Sequence, residues 1–318
     1  MKRLTVLIIF MSSLLHAEES TQLQIKQDRP NLPQLYQEDA IIIDDAAALL
    51  EAMKHKDFLE REAAKLPMIL LPHRPTYFMP FSYTETPYDE PYEEVLQDRW
   101  PGFQNVEAMF QISVKYQIYQ FDDANEYKLF VAYTNKSYWQ IYNEKASRPF
   151  RETNHEPELI FQMSPNWGPI NRVNIALNHQ SNGQYQGFSR SWNRITAGLY
   201  HLNGNSVYGI EPWYRLKEDS SGIPDDPTDD DNPDIEKYLG YANFIWYKQH
   251  KKYSRMLRFG NNLRTENNKG WVELELNFPL GQRLRGFVQY YEGYGHSLIE
   301  YDQYQRRLGF GIKITDYL

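Results

Sequence analysis

Cysteine is absent from all 318 residues, which excludes a disulfide-stapled scaffold and any metal centre held by thiolates. An excess of positive charge is also missing: 34 Lys and Arg stand against 42 Asp and Glu, a formal net charge of −8. That balance argues against broad nucleic-acid binding, which relies on Lys and Arg to neutralise phosphates, and no nucleic-acid partner is expected. Long apolar runs are scarce. Past the N-terminus no stretch approaches the ~20 residues of a membrane-spanning helix. Hydrophobic residues make up 41% of the chain, below the roughly 45–50% of globular proteins, and the mean hydropathy is −0.70. These shortages describe a polar, acidic, soluble protein. One abundance opposes that reading. The chain holds 25 Tyr and 7 Trp, residues that favour boundaries with one apolar and one wet side.

Residues 1–17 read as a secretory signal. Lys2 and Arg3 supply the positive end, residues 4–15 the apolar run, and Ala17 the small residue before a cleavage point. The run, roughly 12 residues, is too short to span a bilayer; an uncleaved anchor is the alternative. Residues 18–105 form an N-terminal extension, periplasmic or of uncertain place. It carries one helical pattern at 46–56, with Ala46, Leu49, Leu50 and Met53 on one face, and a Pro- and Tyr-rich stretch at 67–91.

From about residue 108 the hydrophobic period becomes 2. Phe110, Ile112, Val114 and Tyr116 alternate with Gln111, Ser113, Lys115 and Gln117. Val173, Ile175 and Leu177 alternate with Asn174, Ala176 and Asn178, and Val272, Leu274, Leu276 and Phe278 with Glu273, Glu275 and Asn277. Leu308, Phe310, Ile312, Ile314 and Leu318 repeat the pattern at the end of the chain. Such segments are strands with one apolar and one polar face. A soluble β-sandwich would turn the apolar face inward; a transmembrane barrel turns it outward, toward lipid. The export signal, the alternation running to the last residue, and aromatic pairs at strand ends (Tyr138-Trp139, Trp213-Tyr214, Trp246-Tyr247, Tyr290-Tyr291) favour the barrel. The expected class is therefore all-β, an antiparallel transmembrane β-barrel over 106–318. Glu211, Arg215, Glu273, Glu275 and Lys313 would form a polar network plugging its lumen.

Chemistry concentrates at Asn178-His179-Gln180-Ser181-Asn182-Gly183. Continuing the parity of Val173, Ile175 and Leu177 places His179 and Ser181 on the outward face. Residues i and i+2 on a strand lie about 6.5–7 Å apart, within reach of a His–Ser base–nucleophile unit. The base needs an acceptor for its second nitrogen. Asn193 shares parity with Ile195, Ala197 and Leu199 on the next strand, and a hairpin through Gly183 and Gly187 would bring it beside His179. An isolated His-x-Ser is ordinarily just two surface polar residues. Polar side chains on a lipid-facing wall carry a free-energy cost, however, and three of them from neighbouring strands call for a function.

At these residues the sequence resembles bacterial outer-membrane phospholipase A. The blocks Asn178-His179-Gln180-Ser181-Asn182-Gly183 and Ser189-Arg190-Ser191-Trp192-Asn193-Arg194 carry the resemblance. Pro149-Phe150-Arg151-Glu152-Thr153-Asn154 with Glu156-Pro157, and Asp231-Asn232-Pro233-Asp234-Ile235, support it. The resemblance implies a barrel of about twelve strands in the Gram-negative outer membrane and a calcium-dependent ester hydrolase. The enzyme would act on phospholipids and lysophospholipids at either glycerol position and be activated as a homodimer. It implies Ser181 as nucleophile, His179 as base, Asn193 as the orienting residue and the Gly183 N–H at the oxyanion. Calcium would take oxygens from Gln184, Ser189 and, across the dimer, Ser147, with Asp231 in a second site. Gln184 stands where the family usually has Arg, a position that contributes its backbone carbonyl. The competing readings are a catalytically inactive structural barrel or pore, and a barrel lipase acting on lipid A.

Overall fold

A computed structural model describes residues 45–64, 66, 69–121, 127–165, 167–184, 186–218, 230–281 and 284–315. The signal segment, most of the acidic loop (including Asp225, Asp226 and Asp229), and Leu318 lie outside the described residues.

Twelve antiparallel strands close into a barrel. They are β2 (Thr76–Thr84), β3 (Val106–Gln120), β4 (Tyr127–Trp139), β5 (Phe150–Met163), β6 (Arg172–Ser181), β7 (Ser191–Asn203), β8 (Ser206–Leu216), β9 (Ala242–His250), β10 (Tyr253–Asn261), β11 (Gly270–Leu280), β12 (Leu284–Gly293) and β13 (Gln305–Thr315). Each pairs with its sequence neighbour, and β13 pairs with β2 to complete the ring. A two-residue strand, β1 (Leu71–Pro72), adds to β3 beyond the end of β2. Closure leaves no edge and satisfies every strand by its neighbours, the condition for crossing a bilayer with strands.

The barrel starts earlier than residue 106. The 67–91 stretch, read from sequence as part of an extension, contains a full wall strand, Thr76–Thr84, whose exposed Phe78, Phe81 and Tyr83 alternate with buried Tyr77, Met79, Ser82 and Thr84 across a bulge. Prolines on both sides, and Pro80 inside it, masked the alternation. The bulge next to Pro80 accommodates the residue that cannot donate to the ladder.

The wall is apolar outside and polar inside. On β11, Leu274 and Leu276 are exposed while Glu273, Glu275 and Asn277 are buried; on β13, Leu308, Phe310 and Ile314 are exposed against buried Arg307 and Lys313. The expected lumen residues do pair inside. Lys313 Nζ binds Glu275 Oε1, Arg215 Nη2 lies 2.5 Å from Asp230 Oδ1, and Tyr200 donates to Glu211 Oε1 at 2.6 Å. Further groups fill the lumen, notably Arg151 and Arg307 around Glu107 and Glu300, and Arg74 on Glu156 and Glu158. The aromatic pairs straddle the wall. Tyr138, Trp213, Tyr247 and Tyr291 turn inward and are buried, because adjacent strand residues face opposite sides; one member of each pair is left for the outer surface.

Helix α1 (Asp45–Ala64) lies within one end of the barrel. Its inward stripe is Leu49, Met53, Lys56 and Glu60. Leu49 packs on Tyr247 and Met256, and Glu60 Oε1 lies 2.8 Å from Lys115 Nζ. Leu50, expected on that stripe, is exposed. The stripe is mixed rather than apolar because the surface it meets is a polar lumen. At this same end the strands are joined by short turns; Gly204, at φ +58, supplies the left-handed residue of the two-residue β7–β8 hairpin. Long connections occupy the opposite end and carry α2 (Glu90–Leu96) and α3 (Glu236–Leu239).

Candidate functional site

Antiparallel register lays polar residues in two rows across the outer wall at the long-loop ends of β4 to β7. In the first row Asn135, His155, Ser181 and Ser191 are successive cross-strand partners. In the second, His179 on β6 stands opposite Asn193 on β7. Directly opposed side chains have Cβ atoms ~4.5–5.5 Å apart. All share the outward parity of exposed Leu159, Ile175, Leu177 and Ile195. The hairpin that the sequence suggested therefore brings His179 and Asn193 together, with His179 Nδ1 and Asn193 Oδ1 at 2.8 Å.

The orientation of that amide is fixed from behind. Asn193 Nδ2 donates to Glu218 Oε1 at 2.6 Å. A carboxylate accepts but does not donate, so Nδ2 must face Glu218 and Oδ1 must face the imidazole. His179 then carries its proton on Nδ1 and leaves Nε2 as an acceptor. Partial burial and the nearby Asp230 carboxylate raise the Glu218 pKa above the usual carboxylate range. Glu218 lies in a loop without periodicity, so nothing in the sequence marked it.

The turn after Ser181 is organised by Asn182, a buried side chain. Its Oδ1 accepts from the Arg190 N–H at 3.0 Å and the Gln184 N–H at 3.3 Å; its Nδ2 donates to the Phe188 carbonyl at 2.7 Å and to Glu152 Oε2 at 3.3 Å. Asn182 thus links the turn to the lumen network. Gly183 follows at φ +64, a left-handed conformation that disfavours other residues. Among the described residues its N–H takes no protein acceptor.

Two residues named from the resemblance as metal ligands meet: Ser189 Oγ donates to Asp231 Oδ2 at 2.7 Å, and Ser191 Oγ approaches the same oxygen at 3.4 Å. Asn232 beside it accepts from the Ser191 N–H. Gln184 is exposed in the β6–β7 turn. Ser147 lies apart, exposed in the β4–β5 turn with φ +62. Among the described residues no three His, Asp or Glu side chains cluster as a metal site.

His155 was overlooked. It interrupts one of the blocks behind the resemblance, between Asn154 and Glu156; the period-2 parity would have placed it on the outward face, and only the register sets it beside Ser181. Its Nδ1 lies 2.6 Å from the Tyr133 hydroxyl and 3.5 Å from Asn135 Nδ2. A β-carbon built on Gly183 would lie 3.6 Å from His155 Cδ2 and 3.7 Å from Nε2.

A family model for Phospholipase A1 matches residues 53–314. The chain is 33% identical over 256 residues to the Phospholipase A1 of Klebsiella pneumoniae, a match covering 79% of this chain and 84% of that one. Identity to the Phospholipase A1 of Escherichia coli K12 is also 33% over 256 residues, covering 79% and 83%. The Salmonella typhi outer membrane phospholipase, solved as a dimer with bound calcium, superposes with a TM-score of 0.70 at 31% identity, covering 79% of this chain and 94% of that one. The Escherichia coli outer membrane phospholipase A, solved as an active-site mutant with its asparagine replaced by alanine, matches equally at a TM-score of 0.70 and 31% identity, covering 80% and 94%.

Proposed function

The chain belongs to the phospholipase A1 family of outer-membrane β-barrels, and from that premise we propose that it hydrolyses acyl esters with a Ser181–His179–Asn193 triad on its outer wall. The observation that carries this reading is the hydrogen bond between His179 Nδ1 and Asn193 Oδ1, with Ser181 two residues along on the same face.

The chemistry follows from the tautomer. His179 Nε2 accepts the Ser181 hydroxyl proton as Oγ forms a bond to the ester carbonyl carbon, and the carbonyl π electrons move onto oxygen. Asn193 holds the ring and stabilises the imidazolium without adding charge. The Gly183 N–H donates to the new oxyanion. Collapse expels the lysolipid alkoxide, which takes the proton from His179, and water repeats the sequence on the acyl-enzyme. An outward site suits this substrate, since acyl chains reach Ser181 from the lipid side without entering the plugged lumen.

Calcium fits the residues present. Ser189 and the Gln184 carbonyl for one site, and Asp231 for a second, are hard oxygen donors of the kind calcium takes, and the Ser189–Asp231 contact brings a ligand of each together. When bound, the ion would add positive charge near the developing oxyanion. Ser147, apart from this group within one chain, would contribute from a second copy, and the active form would be a homodimer. Hydrolysis at both glycerol positions and of lysophospholipids, and removal of residues 1–17 on export, complete the proposal. The ion-paired lumen and the helix within it weigh against a pore.

The test is acyl release from phosphatidylethanolamine in detergent, with calcium or EDTA, while crosslinking follows the dimer. Ser181→Ala should form the barrel, seen by heat-modifiable mobility, and release no fatty acid. Wild-type turnover by that variant would remove Ser181 from the nucleophile's role. Release of acyl chains from lipid A instead of phospholipid would move the substrate class.

A further inference from the structure

Ser181 is flanked by two imidazoles, and only His179 has a task in the triad. We propose that His155 is a second oxyanion donor, its Nε2–H acting beside the Gly183 N–H on the tetrahedral intermediate formed at Ser181. The inference rests on the triad reading above.

Three observations carry it. His155 is the direct cross-strand partner of Ser181 on the outward face. Its Nδ1 faces the Tyr133 hydroxyl at 2.6 Å and the Asn135 amide nitrogen at 3.5 Å. An amide nitrogen only donates, and Asn135 is turned that way because its Oδ1 accepts from Ser137 Oγ at 2.9 Å. With Tyr133 as the donor of the short contact, Nδ1 accepts and the neutral ring carries its proton on Nε2. That proton lies on the edge of the ring nearest Gly183.

The two histidines thus have opposite tautomers, set by opposite neighbours. Asn193 presents an oxygen to His179, so Nε2 of His179 is a base; Tyr133 and Asn135 present donors to His155, so Nε2 of His155 is a donor. A group in the second state cannot take the Ser181 proton. It can stabilise the negative oxygen that appears once His179 has taken it, and preorganised donors of this kind act on the transition state more than on the ground-state ester.

The experiment measures kcat and KM for Ser181→Ala, His155→Phe, His155→Leu and His155→Gln on one micellar phospholipid at saturating calcium, with barrel formation and dimer crosslinking monitored. Apolar residues suit this wall, so Phe and Leu serve as independent removals of the donor should one of them fail to fold. The expected result is no turnover for Ser181→Ala, a kcat lower by about 10²-fold for Phe and Leu with KM unchanged, and partial recovery with Gln, whose amide restores a donor. Wild-type kcat in the Phe or Leu variant, with Ser181→Ala inactive, overturns the role of His155 and leaves the triad standing. A kcat that falls with loss of the crosslinked dimer, or that Gln does not recover, overturns it too by assigning His155 to assembly or packing. Turnover by Ser181→Ala defeats the triad itself.

Discussion

At the scale of single residues, the site is governed by which groups can only donate and which can only accept. Glu218 accepts, so Asn193 turns its amide nitrogen away from His179 and its oxygen toward it. Removing that acceptor frees the amide to flip. Glu218→Leu is expected to lower kcat on the order of 10-fold, the scale of one net hydrogen bond, without loss of the barrel. Asn193→Ala should cost more than Glu218→Leu and less than Ser181→Ala, since orientation of the base is one contribution among several. Initial-rate kinetics on the three variants checks the order, and an Asn193→Ala enzyme at wild-type rate would contradict it. The shared outward face of His179, Ser181 and Asn193 was readable from parity, because these residues keep the rhythm of their strands while breaking its hydrophobicity. Glu218 was not, because a loop residue has no rhythm to break.

At the scale of elements, α1 shows how a helix is held within a polar lumen. Burial opposes ionisation of Glu60, but Lys115 and Arg172 outweigh it and hold the carboxyl at about 2, below its ordinary 4.5. A carboxyl depressed by folding stabilises the folded state above its unfolded pKa, and that stability is lost as pH falls through the folded value. The anchoring of α1 is thus expected to be full above pH 4.5 and to weaken as pH falls toward 2, read by hydrogen exchange of α1 corrected for intrinsic rate. Glu60→Ala leaves the Lys115 ammonium buried without its partner and should destabilise the docked helix by roughly 3–5 kcal/mol, so that α1 exchanges freely at neutral pH; unchanged protection would show that Leu49 and its apolar contacts suffice. The sequence showed a helix here and set Leu49 and Met53 on its inward face, but wrongly set Leu50 with them. Leu50 looks apolar in a list, yet the lumen selects the 49–53–56–60 stripe for charge as much as for hydrophobicity.

At the scale of the whole molecule, the barrel is a globular protein turned inside out, with ion pairs at its centre and leucines on its surface. Leu276, exposed on the outer wall of β11, faces lipid. Leu276→Arg should destabilise the barrel by about 2–4 kcal/mol if it sits near the bilayer midplane, measured by reversible urea unfolding in lipid. No effect would show that this wall is wet. The low hydropathy that suggested a soluble protein is the composition of a filled polar lumen and long polar loops, and among the described residues Tyr is exposed more often than buried, ten against five.

Alternation of residue type along one strand is a local property, set by the pleat, and it carries the class of fold, the inside-out polarity and the outward parity of His179, Ser181 and Asn193 without any knowledge of neighbours. Closure through Thr76–Thr84, the meeting of His155 with Ser181, the Ser189–Asp231 contact and the Glu218–Asn193 bond join residues 25 to more than 200 positions apart. Register between strands and the path of a loop fix such contacts, and neither leaves a periodic trace in the chain.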